Sequence, residues 1–248
     1  MLKTARLTLV EIKLFAREPL TAVFALAFPV LVLVVLAGVF GNTPDPTGKV
    51  WEGVGPIDYL VPGFLGLVMA SIGFISLPVH LATYRERGVL RRFRSSGVTP
   101  ASLLAAELCV SVLIATVGGV VIVVLGMGAM GAHGPASPLG VFVAYVLSAG
   151  CFVAIGIMLG AVMPNAQAAQ AVGLVLFFVS EMTAGVGPPR EVMPGAMRTI
   201  ADGFPLTHVA IALQDPWIGR GANLVELAVV LAVAAAAFLI AARAFRWE

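Results

Sequence analysis

The strongest constraint on this chain is the recurrence of uncharged apolar stretches, each long enough to cross a bilayer. No charged residue occurs between Pro19 and Pro44, nor between Tyr59 and Tyr84. A spanning helix needs about 20 apolar residues, and inside a bilayer every backbone polar group must find its partner within the protein, which a helix provides. Six such spans follow, at about Thr21–Phe40, Tyr59–Tyr84, Leu108–Ala132, Leu139–Met163, Ala168–Ala184 and Asn223–Ala242. The expected fold is therefore an all-α integral membrane protein with six transmembrane helices. Composition excludes the soluble alternative, since 60% of the residues are hydrophobic and only 11% are charged. The first run has no small-residue cleavage site at its far end and reads as a retained span.

The connections carry the charge, and they carry it unevenly. Arg85, Arg87, Arg91, Arg92 and Arg94 crowd into the stretch YRERGVLRRFRSSGVTP between the second and third spans. Dense positive charge in a short loop is retained on the cytoplasmic side. The apolar Val89, Leu90 and Phe93 lie among these charges, which suits a short amphipathic helix lying across the membrane face better than a bare basic loop. Gly97 stops it, Thr99 caps the next helix, and Pro100 takes its first position. Before the first span, Lys3, Arg6, Lys13 and Arg17 fall on one face of a helix whose other face is apolar, as in an interfacial helix.

Cation counting sets the orientation. The N-terminal segment has four cations, the basic loop five, and the C-terminus two (Arg243 and Arg246), eleven in all on one side. The other side has Lys49, Arg190, Arg198 and Arg220, and eleven plus four recovers the total of 15. Both termini are expected in the cytoplasm. The segment 185–222 is apolar yet broken at Pro188-Pro189, Pro194 and Phe204-Pro205, the pattern of re-entrant helices buried in protein.

Few residues suggest chemistry. Glu181 lies in the fifth span, where an ionisable group marks a functional or paired position; its place near the outer end puts it within reach of water. His80 reads as an interfacial residue, and Cys109 and Cys151 as buried small apolar groups. Gly118-Gly119, Gly126, Gly128 and Gly131 offer small surfaces for close packing. The sequence has no phosphate-cradling GxxxxGK[ST], HExxH or GxSxG. It shows no catalytic equipment and is not expected to be an enzyme.

Three stretches together resemble the permease subunit of ABC-2 type (type V) ABC exporters, and the resemblance runs over residues 1–248 as a single transmembrane domain. EIKLFAREPLTAVFALAFPVLVLVVLAGVFG is similar to the family's interfacial helix leading into span one. YRERGVLRRFRSSGVTP resembles its coupling helix, within residues 84–100. PPREVMPGAMRTIADGFPLTHVAIAL resembles its re-entrant pair, in 185–222. Glu181 and the run Ala184-Gly185-Val186-Gly187 depart from the family's usual apolar stretch.

The resemblance implies a subunit that moves an amphipathic or lipid-like substrate (a drug, lipid or glycan) outward across a prokaryotic inner membrane. The partners it implies are a separate ABC ATPase and a second permease copy, in a homodimer or heterodimer. ATP and Mg would be bound by the ATPase, leaving no cofactor in this chain, and nucleic acid is not among the expected partners. Arg85, Glu86, Arg87, Gly88, Leu90, Arg91, Arg92 and Phe93 would couple to the ATPase, and Glu181 would touch the substrate pathway. Two other readings remain open at this point: a proton-coupled carrier titrating at Glu181, and a membrane scaffold that transports nothing.

Overall fold

The computed structural model describes residues 23–44, 50–89 and 99–244. They form six helices long and apolar enough to cross a membrane, α1 (Val23–Phe40), α2 (Pro56–Glu86), α3 (Pro100–Ala129), α4 (Pro138–Val162), α5 (Ala166–Thr183) and α8 (Leu224–Ala244). Between α5 and α8 lie a 3₁₀ turn at Arg190–Val192 and two shorter helices, α6 (Gly195–Ala201) and α7 (Pro205–Trp217). Every expected span is present. α3 starts at Pro100 with Thr99 as its cap, as expected, ahead of the apolar run from Leu108.

Local chemistry fixes these starts. Thr99 accepts from the Ser102 amide at 3.2 Å while the Ser102 hydroxyl accepts from the Thr99 amide at 3.1 Å, a reciprocal capping box. Asn165 caps α5 through the Ala168 amide at 2.7 Å, and Asn223 caps α8 through the Glu226 amide at 3.2 Å. Proline opens α2, α3, α4 and α7, where its missing N–H is not needed.

α2 is the axis of the bundle. Its most apolar window is entirely buried, against 17% for α1 and 22% for α8. Around it pack α1, α3, α4, α5 and α7, and α8 lies outside against α4 and α7. On the α5 side, Phe24 and Phe28 of α1 meet Phe177 and Phe178 edge-on, with ring centroids 5.7–6.0 Å apart.

Two prolines shape the helices that cross this core. A proline cannot donate to the carbonyl four residues back, and its ring crowds that carbonyl. For Pro29 and Pro78 those carbonyls belong to Ala25 and Phe74. In both places the helix widens into a π turn, at Val23–Ala27 and Ile72–Ser76. A glycine on a neighbouring helix sits at each displaced carbonyl. A Cβ at Gly118 of α3 would lie 3.3 Å from the Ala25 oxygen, and one at Gly173 of α5 would collide with the Phe74 oxygen. Gly126 of α3 likewise packs on Val61, whereas a Cβ at Gly128 or Gly131 would meet nothing within 4 Å.

The connections divide into two ends. One end gathers the α1–α2 loop, the α3–α4 turn and the whole segment from Ala184 to Asn223. The other holds the α2–α3 and α4–α5 connections.

Candidate functional site

At the second of these ends α2 does not stop freely. Arg85, in its last turn, donates through Nη1 to the carbonyls of Gly160 and Ala161 at 3.2 and 3.0 Å, and through Nη2 to that of Met163. These are the orphan acceptors at the C-terminus of α4, where a cation also meets the negative end of the helix dipole. The next residue acts on the next helix. Glu86 Oε1 accepts from the Ala166 amide at 3.0 Å, at the start of α5, where a carboxylate meets the positive end of the dipole. One dipeptide thus closes the end of α4 and the start of α5, gripping the Pro164-Asn165 turn between them.

Tyr84, Arg85 and Glu86 therefore complete α2 instead of opening a separate amphipathic helix. Arg87 is exposed, and Gly88 turns the chain with φ +64°. Leu90, Arg91, Arg92 and Phe93 lie outside the described residues, as do Lys3, Arg6, Lys13 and Arg17 of the expected interfacial helix.

One turn further into α2, His80 is buried rather than interfacial. Its Nε2 lies 3.4 Å from Glu107 Oε1 of α3, with both side chains at least nine-tenths buried, and its ring lies 4.2 Å from that of Tyr84. Buried histidine and carboxylate compensate one another's desolvation. Sequence spacing could not join them, because 26 residues, the basic loop among them, lie between the two.

Glu181 is buried, at 3% exposure, not within reach of water. The turn after α5 folds over it, and a Cβ at Gly187 would stand 3.5 Å from its Oε1. Cys151 is buried as expected, but Cys109 is exposed on α3.

The opposite end is a polar network. Asn42 accepts from the amides of Ile57 and Asp58 at 3.0 and 3.3 Å, capping α2, and donates to the Gly131 carbonyl at 2.7 Å. Asp58 accepts from the His133 amide at 2.5 Å and faces its Nδ1 at 2.9 Å. That hydrogen bond, with the charge behind it, raises the His133 pKa.

Further around this end, Arg220 pairs with Glu52 at 2.6 Å, Arg190 with Asp202 at 2.7 Å, and His208 with Glu226 at 2.6 Å. Tyr59 donates weakly to Glu191 at 3.4 Å, and burial, aided by the nearby Glu52 charge, raises the Glu191 pKa. α7 joins the core here, Gln214 donating to the Tyr59 carbonyl at 2.8 Å. Among the described residues no group of three or more His, Cys, Asp or Glu could hold a metal.

Residues 4–216 match the sequence profile described as ABC-2 type transporter. Two relatives, each described as "Inner membrane transport permease YhhJ", from Escherichia coli (strain K12) and Shigella flexneri, are 27% identical over 200 residues. The alignment takes in 75% of this chain and 53% of either relative, so the chain spans about half the length of the curated relatives it matches.

Proposed function

This chain belongs to the ABC-2 type transporter family, and from that premise we propose that it is the permease subunit of an exporter driven by a separate ATPase. The observation that carries the proposal is the grip of Arg85 and Glu86 on the α4–α5 turn. The basic loop joins α2 to α3, so a partner pulling on it acts on both. Through the dipeptide the same pull reaches α4 and α5. A small displacement outside the membrane then becomes a rigid-body movement of four helices, as a transporter powered from outside requires. The chain supplies the moving part, and ATP with Mg belongs to the partner.

In this reading residues 1–248 are one transmembrane domain in the inner membrane with both termini cytoplasmic, in line with the eleven-to-four division of cations. Residues 1–20 lie in the interface, 84–100 couple to the ATPase, and 185–222 re-enter the outer face. A second permease copy completes the pathway. Glu181 lies beside it, and the substrate is amphipathic or lipid-like. The buried, apolar α7 supports re-entry.

The test is co-expression with a candidate ABC ATPase subunit. Leu90→Asp should weaken co-purification of the ATPase and uncouple hydrolysis from transport, while Arg94→Lys does neither. Normal co-purification and transport by Leu90→Asp would reduce the loop to a topological anchor. The buried carboxyl groups of Glu107 and Glu181 favour one competing reading, a proton-coupled carrier. That reading requires transport that persists without any ATPase and collapses with the proton gradient.

A further inference from the structure

On the side of α2 away from α5, an apolar slot of about 330 Å³ opens sideways between α3 and α4. Leu65 forms its back wall, and Val120, Val124 and Phe142 its exposed rim. From Pro138 down to Tyr145 an α-helix rises about 10 Å, so the slot runs from the α3–α4 turn well into the apolar layer. Gly119 keeps it open: a Cβ there would lie 3.3 Å from Leu65 and 3.4 Å from the Tyr145 hydroxyl.

Above the slot lies a second cavity of about 230 Å³ with a different lining, bounded by Asp58, His133, Gly134 and Ala136. Trp217 walls both cavities. It is held there by the backbone, since the Ala136 amide donates to the Trp217 carbonyl and the Ser137 amide to the Pro216 carbonyl, both at 3.0 Å. Trp217 is 4% exposed, and its indole N–H has no hydrogen-bond partner among the described residues. That nitrogen is sealed from both cavities, so the residue serves them as an apolar wall.

We propose that slot and pocket together hold one phospholipid of the bilayer, with an acyl chain in the slot and the phosphate beside His133. The order of the linings is the order of groups along such a molecule, apolar chain and then charged head. His133 has Nδ1 on Asp58 and keeps Nε2 for a phosphate oxygen. A second copy of the chain fits less well, because a helix with its side chains is about 10–12 Å wide and the slot holds only about 330 Å³. The inference stands whether or not the protein is an exporter.

The full-length protein, reconstituted in vesicles containing a phospholipid with a photoactivatable diazirine midway along one acyl chain, provides the test. Label should concentrate at residues 116–124 and 138–145. Gly119→Leu, which fills the slot, and Val124→Trp, which blocks its mouth, should each lower that label at least fivefold while leaving label on α8 unchanged. His133→Ala should lower it about threefold. Label spread equally over exposed α8 residues such as Leu231 and Leu239, or unchanged in both blocking variants, would overturn the proposal. So would an unlabelled slot with disulfide formation between copies carrying Val124→Cys.

Discussion

Two side chains at opposite ends of the bundle lead to measurements on single residues. The Asp58 carboxylate raises the pKa of His133 above its ordinary value of 6.5, so the pair contributes stability below that value and loses it as pH rises through the folded-state pKa. The His133 ring should therefore titrate above 6.5 by NMR, and Asp58→Asn should return it to the ordinary value. At the other end, Arg85→Met leaves three α4 carbonyls without their donor. It should destabilise the protein by about 1–2 kcal/mol, read in chemical denaturation, and Arg87→Met at an exposed position should not. These residues differ in how far sequence alone could reveal them. The arginine cluster is visible as a cluster, yet nothing in its spacing separates Arg85, which serves α4, from its exposed neighbour Arg87. His80 with Glu107 and His133 with Asp58 are pairs made by helix packing, and a linear pattern holds no record of which helix faces which.

Among the elements, the spans were legible because hydropathy must match bilayer thickness, and the start of α3 was legible because Thr99 and Pro100 cap it through local chemistry. The packing of one helix on another was only half legible. The glycines of α3 announce close approach, but Gly118, Gly119 and Gly126 meet neighbours while a Cβ at Gly128 would meet nothing within 4 Å. The difference depends on what faces each glycine: a proline-displaced carbonyl lies near Gly118, whereas Gly119 and Gly126 meet side chains. Substitution separates the cases. Gly173→Ala would drive a methyl group into the Phe74 carbonyl and should cost at least about 2 kcal/mol. Gly128→Ala enters open space and should be neutral or stabilising by about 0.5 kcal/mol. Denaturation of the two variants side by side decides it, and equal effects would remove the π turn of α2 as the reason for the glycine at position 173.

For the whole molecule, the two ends must face opposite sides of the membrane. Single cysteines at Arg198 and at Arg87 should react with an impermeant thiol reagent from opposite sides, Arg198 from outside; external reaction at Arg87 would invert the topology. The burial of α2 has a further consequence, in time rather than in space. As the second span it enters the bilayer before α3, α4, α5 and α7 have been synthesised, so it must insert on its own mean hydropathy of 2.1. Asn42 is already present to cap it. Glu107 reaches His80 only with α3, His133 reaches Asp58 only after the turn that follows, and Gln214 closes on the Tyr59 carbonyl later still. Until then α2 is an inserted helix with its polar groups facing lipid or its neighbours' backbone. A nascent chain arrested before residue 133 should accordingly be a ready substrate for membrane quality-control proteases, and one extended past residue 217 should escape them.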